Sequence, residues 1–294
     1  MACRDYNECL KFIKNKGWGA SDNANDIDKI LAFEMQKTKN FIYPMVSDIN
    51  SFNVILYPID YNNLKAAIKS TVIMNNTSNL FLSGGSIDYQ VMLKAVKEGN
   101  FNVLPEHMKN VAQKAFNILL HTSDSQASDS VIDKALLDAM MGLKKESSID
   151  LIKKYAELFV ASANIKIAIR GQMVAKDITF FKKAMSECDS LDIDALIKAA
   201  TKSSDAIFEY LQTTKYSEAI PFLKKSVAEF EKWYDNKVVE CIQLEKSNYF
   251  TIAPILAYVL ARENEIKVVR IIFSGKLNKI NDDIIKERLR YLYA

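Results

Sequence analysis

The sequence predicts an all-α protein built as three divergent bundles of helices, residues 1–100, 101–200 and 201–294, set around a pseudo-threefold axis as a funnel. Three observations lead there. With only 8 Gly and 5 Pro in 294 residues, the chain has few of the turns that hairpins need. At 49% hydrophobic residues it can bury a core. One pattern also recurs at a fixed period, the mark of an internally repeated architecture.

The recurring element is a helix that carries one lysine beside a buried stripe. Asn63-Leu64-Lys65-Ala66-Ala67-Ile68-Lys69, Asn164-Ile165-Lys166-Ile167-Ala168-Ile169-Arg170 and Glu265-Ile266-Lys267-Val268-Val269-Arg270 align, and Lys65, Lys166 and Lys267 follow one another at intervals of 101 residues. The residue before each lysine is aliphatic, and Ala67, Ala168 or Val269 stands two after it. Those flanking positions are three apart and share one helix face.

In the first repeat a short helix runs from Cys9 toward Gly17-Trp18-Gly19. Ile27-Asp28-Lys29-Ile30-Leu31 opens a longer helix, the Lys65 helix follows, and Ser83-Gly84-Gly85-Ser86 turns the chain. In the second repeat the polar stretch His121 to Ser130 reads as a flexible helix–helix connection. Ile132-Asp133-Lys134-Ala135-Leu136 opens its long helix, the Lys166 helix follows, and a turn region extends from Gly171 to Asp189-Ser190. In the third repeat Ile207 to Ser217 matches the first short helix, with Tyr216 falling on Trp18, and Phe230-Glu231-Lys232-Trp233-Tyr234 opens the long helix.

The third lysine helix spans Pro254 to Ser274, where Ser274-Gly275 reads as its stop. A last, basic helix is expected from Asp282 to Tyr293, capped by Asn281-Asp282-Asp283. Aromatics such as Tyr43, Tyr57, Trp233, Tyr234, Tyr249, Phe250 and Tyr258 read as core or inter-repeat packing. Units chained head to tail repeat one heterologous contact, which closes into a ring or opens into a spiral. Closure after three gives a body with a central axis.

Catalytic signatures are missing. Gly275-Lys276 lacks the upstream glycine and the following Ser/Thr of a phosphate loop. His107 and His121 form no metal motif, and Cys3, Cys9, Cys188 and Cys241 have no zinc spacing. No nucleophile elbow occurs, and Asp282-Asp283, Asp192 and Asp194 sit where helix caps belong. No cofactor is expected. A net charge of +3, from 39 basic and 36 acidic residues, is too small for a nucleic-acid binder. The longest apolar run, Ile252 to Ala261, contains Pro254 and falls far short of the roughly 20 residues of a spanning helix. The start Met1-Ala2-Cys3-Arg4-Asp5 has no signal-peptide character, so a reducing cytoplasm is expected.

Three segments carry a family resemblance: A-Y-V-L-A-R-E-N-E-I-K-V-V-R-I-I at 257–272, G-K-L-N at 275–278 and I-K-E-R-L-R-Y-L-Y at 285–293. They resemble the C-terminal signature of the central-stalk component of A/V-type rotary ATPases that is called the C subunit in prokaryotes and the d subunit in eukaryotes. The likeness extends over essentially the whole chain. It implies a non-catalytic, three-fold repeated, funnel-shaped rotor component, cytoplasmic and peripheral to the membrane. Its implied partners are the central-shaft subunits of D and F type and the membrane proteolipid ring, in ATP-driven ion transport or ATP synthesis. It also implies a further N-terminal helix ahead of the segment 4–19, whereas Met1 stands almost directly on that segment, so the first repeat is expected to be truncated or short.

The residues expected to meet acidic partners are Lys65, Lys166 and Lys267, with Arg170, Arg270, Arg288 and Arg290. The simpler reading of each is a solvated helix face. For the terminal basic segment, sealing the third repeat is the alternative to contacting a partner. A helical-repeat adaptor with an open groove and an all-helical lipid-processing enzyme are the other functional readings, and the enzyme lacks the clustered acids it would need.

Overall fold

A computed structural model describes residues 3–19, 25–46, 48–73, 80–248 and 250–293. Met1, Ala2 and Tyr249, which enter the sequence reading, lie outside them. Among the described residues the protein is all-helical, with fourteen α-helices, short 3-10 turns and no strand beyond an isolated bridge between Cys188 and Leu191. The first five helices are α1 (Tyr6–Asn15), α2 (Ile27–Ile42), α3 (Asn53–Ile73), α4 (Tyr89–Glu98) and α5 (Glu106–Thr122). Next come α6 (Ser125–Glu146), α7 (Asp150–Met173), α8 (Ile178–Ala184), α9 (Ile193–Ala200) and α10 (Ser204–Gln212). The last four are α11 (Ile220–Lys225), α12 (Val227–Gln243), α13 (Ala253–Leu277) and α14 (Asp282–Glu287). No helix among the described residues is long and apolar enough to cross a membrane.

Helix starts are written in the sequence. Asp5, Asp26, Asp88, Asp124, Asp177 and Asp192 each accept a backbone N–H of the first turn, as do Ser203, Ser226 and Asn281. Each satisfies donors that a helix cannot pair internally. Asp192 and the Asn281 cluster therefore do the capping expected of them.

The chain forms two compact units, one of Asn50–Ile220 and one of Met1–Ile49 with Pro221–Ala294. In the first, Tyr61, Leu64 and Ile68 of α3 pack with Met92 of α4, Met108 and Leu119 of α5 and Ile132 of α6. The stripes flanking two lysines are buried as expected: Leu64 and Ala67, then Ile165 and Ala168. The second unit is assembled from both ends of the chain. Cys9, Leu10 and Ile13 of α1 and Ile30 of α2 surround Phe273 of α13, whose ring meets Tyr6 edge-on at 5.2 Å. The Lys276 ammonium donates to the carbonyls of Cys3 (2.7 Å) and Arg4 (3.2 Å) and to Asp282 (2.7 Å). The last long helix thus closes on the first two.

Four local expectations are corrected. Gly275 does not end α13, which continues to Leu277. A Cβ there would lie 2.6 Å from Ile285, so the glycine lets α14 press against α13. Gly171 likewise sits inside α7, where a Cβ would come within 2.4 Å of the Phe181 ring of α8. The stretch from His121 to Ser130 is mostly helix: Ser123, at φ 56°, ends α5 and Asp124 caps α6. The terminal helix stops at Glu287, because the chain beyond it gives its backbone bonds to other elements. Asn236 accepts the Tyr291 N–H at 2.8 Å, and Asn264 donates to the Tyr291 carbonyl at 2.7 Å. Among the aromatics, Trp233 is buried and stacked on Phe230 at 5.4 Å, whereas Phe250 and Tyr258 are exposed.

Gly171→Ala tests the close approach. In an open helix the exchange would stabilise by about 1 kcal/mol. Against the Phe181 ring it is expected to destabilise the fold by about 1–2 kcal/mol, measured by urea unfolding, and a gain in stability would refute the packing role.

Candidate functional site

The lysine-bearing helices are held by buried asparagines. Asn63 donates to the Leu82 carbonyl (2.9 Å) and accepts the Leu82 N–H (2.8 Å). Asn164 does the same with Ser186, at 2.7 Å and 3.1 Å. Asn264 donates to the Tyr291 carbonyl. All three amides are buried, and they precede Lys65, Lys166 and Lys267 by two, two and three residues. Asn63 pins the segment that follows its own helix, whereas Asn164 and Asn264 reach past the next short helix, α8 or α14, to the segment beyond it. In the sequence Asn63 and Asn164 stand out only as part of the lysine pattern. Their shared register was the available signal, and the third amide is offset by one residue.

An acid one or two turns earlier reinforces the first two clamps. Asp60 accepts from the Ser86 and Ile87 amides, both at 3.2 Å. Glu157 accepts from the Ser190 amide at 2.8 Å and from Lys144 at 2.5 Å. Burial raises the Asp60 carboxyl, and the hydrogen bonds from Ser86 and Ile87 do not fully offset it. Burial acts the same way on Glu157, but hydrogen bonds from Lys144 and Ser190 outweigh it and lower that carboxyl. The cation makes the difference.

The cations singled out by the sequence gather in two places. In the unit Asn50–Ile220, Lys65 pairs with Asp133 of α6 at 2.7 Å, and Lys69 pairs with Asp129 one turn away at 2.5 Å. Both acids line a cavity of about 800 Å³ that Lys166 and Arg170 also line. In the other unit Lys267, Arg270, Arg288 and Arg290 all line one cavity of about 540 Å³. Buried Asp235 of α12 binds Lys267 at 2.7 Å and the Arg290 Nε at 2.9 Å. Arg270 lies 3.4 Å from Asp28 with both side chains mostly in water. Arg288 is exposed and has no acidic partner among the described residues. Sequence reasoning missed Asp235, whose partners stand 32 and 55 residues away.

Within the run of four polar residues 262–265 of α13, Arg262 and Asn264 connect this unit internally. Arg262 reaches Glu34 of α2 at 3.2 Å and covers the Trp18 ring at 5.0 Å. Glu34 in turn accepts the Gly19 amide at 3.0 Å. Asn264 holds the tail, and Glu265 pairs with Arg262. Glu263 has the most perturbed carboxyl: burial raises it from 4.5 to about 7, against the opposing pull of Lys39 and Lys267.

Among the described residues the arrangement offers paired charges and hydrogen-bonded clamps. No group of three or more His, Cys, Asp or Glu that could hold a metal occurs among the described residues. His107 stacks on Tyr57 at 4.5 Å, and Lys276 is committed to Cys3, Arg4 and Asp282 rather than to a phosphate. The Cys9 thiol is pushed up to about 11, first by burial and then by the neighbouring Cys3, which makes it a poor nucleophile.

A carboxyl whose folded pKa lies above its unfolded value stabilises fully below the unfolded value and loses that contribution as pH rises through the folded one. For Glu263 the window runs from about 4.5 to 7. Glu263→Gln is therefore expected to gain on the parent chain as pH rises. The gain should approach about 3 kcal/mol, or roughly 6–12 °C in melting temperature, at pH 8 and fall to near zero by about pH 4. Equal melting differences at both pH values would refute it.

Comparison with known proteins gives one consistent result. The family model described as ATP synthase (C/AC39) subunit matches residues 1–288. The chain is similar to the C subunit of the V-type sodium ATPase of Enterococcus hirae, 23% identical over 240 residues, which covers 79% of this chain and 72% of that protein. It is similar to the C subunit of the A-type ATP synthase of Thermococcus kodakarensis, 20% identical over 296 residues, covering 96% and 78%. A third relative, the C subunit of the A-type ATP synthase of Desulfurococcus sp., is 26% identical over 149 residues, covering 49% and 40%.

Proposed function

The chain belongs to the ATP synthase (C/AC39) subunit family as a non-catalytic C-type component of the V/A-type ATPase central stalk, and we propose that it serves there as a socket between shaft and ring. Its partners are the shaft subunits of D and F type on one side and the membrane proteolipid ring on the other. It transmits torque mechanically, from a position peripheral to the membrane on the cytoplasmic side. ATP chemistry belongs to other subunits.

The observation that carries this reading is the recurring clamp at Asn63, Asn164 and Asn264. A part that passes torque has to be stiff, and buried amides that pin each connecting segment supply stiffness. The clamps also support three repeats, 1–100, 101–200 and 201–294, around a pseudo-threefold axis in a funnel-shaped body. The family match over residues 1–288 favours the rotor reading over a general helical adaptor.

Contacts to acidic partner surfaces are assigned to Lys65, Lys166, Lys267, Arg170, Arg270, Arg288 and Arg290. Their internal partners rank them. Lys65, Lys267 and Arg290 have acids of their own unit to hold and Arg270 has only a solvent-exposed pair with Asp28, so the exposed Arg288 leads the contact and Arg270 follows.

Purified protein should capture shaft subunits or the proteolipid ring of a matching complex, and no capture at micromolar concentration would overturn the assignment. Arg288→Glu should keep the melting temperature within about 1 °C and weaken capture by about tenfold, the effect of one lost charged contact. Arg290→Glu should instead lower stability by about 2–4 kcal/mol, because it sets a second carboxylate against buried Asp235.

A further inference from the structure

We propose that the cavity between the start of α12, α13 and the terminal segment is a binding site for a phosphate-bearing anion. The volume, about 540 Å³, lies in the range of small-molecule sites. Four cations line it, Lys267, Arg270, Arg288 and Arg290, against one acid, Glu229. Asp235 neutralises one further charge from behind, and Asp28 loosely balances Arg270. The cavity keeps an excess of one to two positive charges, which a phosphate group at about −1.5 to −2 near neutral pH would balance. A single carboxylate would leave up to one of those charges standing.

The donors are partly fixed in advance. Arg290 is held at Nε by Asp235 and at one terminal nitrogen by the Arg288 carbonyl. Its other terminal nitrogen is left for a ligand, and the guanidinium loses little freedom on binding. The main-chain turn that places Arg288 beside it is the one set by Asn264 and Asn236 through Tyr291. The first turn of α12, capped by Ser226, adjoins the same space and adds a favourable dipole for an anion. Ile271, Ile280 and Ile285 line the cavity with apolar surface, which suits the organic part of a phosphate ester. This chemistry is separate from Gly275-Lys276, whose ammonium is already occupied, and it does not depend on the rotor assignment.

A free phosphate compound and an anionic lipid headgroup share this chemistry, and the test separates them. Isothermal titration of the full chain with pyrophosphate, at ionic strength matched with chloride, should show saturable one-site binding. Arg270→Gln with Arg288→Gln should weaken it by about tenfold or more. Both side chains are exposed, and an unchanged melting temperature confirms that the variant folds. Arg288→Gln alone provides a milder variant with the same expected direction. Co-sedimentation with phosphatidylcholine vesicles, with and without phosphatidic acid, forms the second arm. Pyrophosphate binding that the variants lose supports the site for a free ligand. Binding confined to phosphatidic acid vesicles, and lost in the variants, supports it for a headgroup. Absence of binding in both arms, or binding that the variants leave intact, overturns the proposal.

Discussion

The fold rests on buried side-chain amides that stand in for backbone. A long helix has no backbone groups to offer the chain crossing over it, so a crossing segment has to find side-chain partners or solvent for its own donors and acceptors. Asn63 and Asn164 meet this demand twice over, supplying a donor and an acceptor to a single residue of the crossing segment. Asn264 supplies one bond to the tail, and Asn236 of α12 supplies the other. Because each amide sits two or three residues before a lysine, fixing the loop also fixes the rotation of the helix that presents the cation. Structure and charge presentation are thus set by one local pattern.

Electrostatics then sort the cations into those that build and those that are presented. Asp235 is buried and shared, so removing either Lys267 or Arg290 would leave it half-matched in a poorly solvated place. Lys276 is still more committed, with three acceptors around one ammonium. By contrast Arg270 and Asp28 meet largely in water, where such pairs contribute little. The run Arg262-Glu263-Asn264-Glu265 shows the same division within one helical turn. Arg262 and Asn264 hold other segments in place, while burial raises the Glu263 carboxyl to about 7 against the opposing pull of two cations.

Much of this was legible in the chain and some was not, for identifiable reasons. Helix content, the caps and the buried stripes beside Lys65 and Lys166 follow from composition and period, which are local. The C-terminal signature placed the family. Glycine was misread because the same residue serves two ends: Gly99 adopts φ 64° and does end a helix, whereas Gly171 and Gly275 are needed for what packs on them. The segment from His121 to Ser130 is polar enough to look like a loop, yet one left-handed residue at Ser123 is all the turn requires. Lys65, Lys166 and Lys267 stand out by their register, and Arg288 and Arg290 by the basic excess of the terminal segment. Asp235 was not, because the demand for a carboxylate comes from Arg290, 55 residues later.

The terminal segment shows why sealing and contact were hard to choose between from sequence. Its apolar and basic residues have a helical spacing, and a continued helix would have set Arg288 and Arg290 about 200° apart, on opposite faces, without saying which face is covered. The chain leaves the helix at Glu287 instead, since the backbone of Tyr291 finds partners in Asn264 and Asn236. That exchange draws Arg290 inward to Asp235 and leaves Arg288 in solvent beside the same cavity. Sealing therefore falls to Arg290, while Arg288, two positions away, stays exposed. Chain ends ordinarily fray. This one is tied to α12 and α13, and α13 is itself tied to α1 and α2, so a load applied at the exposed arginine reaches both ends of the chain through bonds internal to one unit.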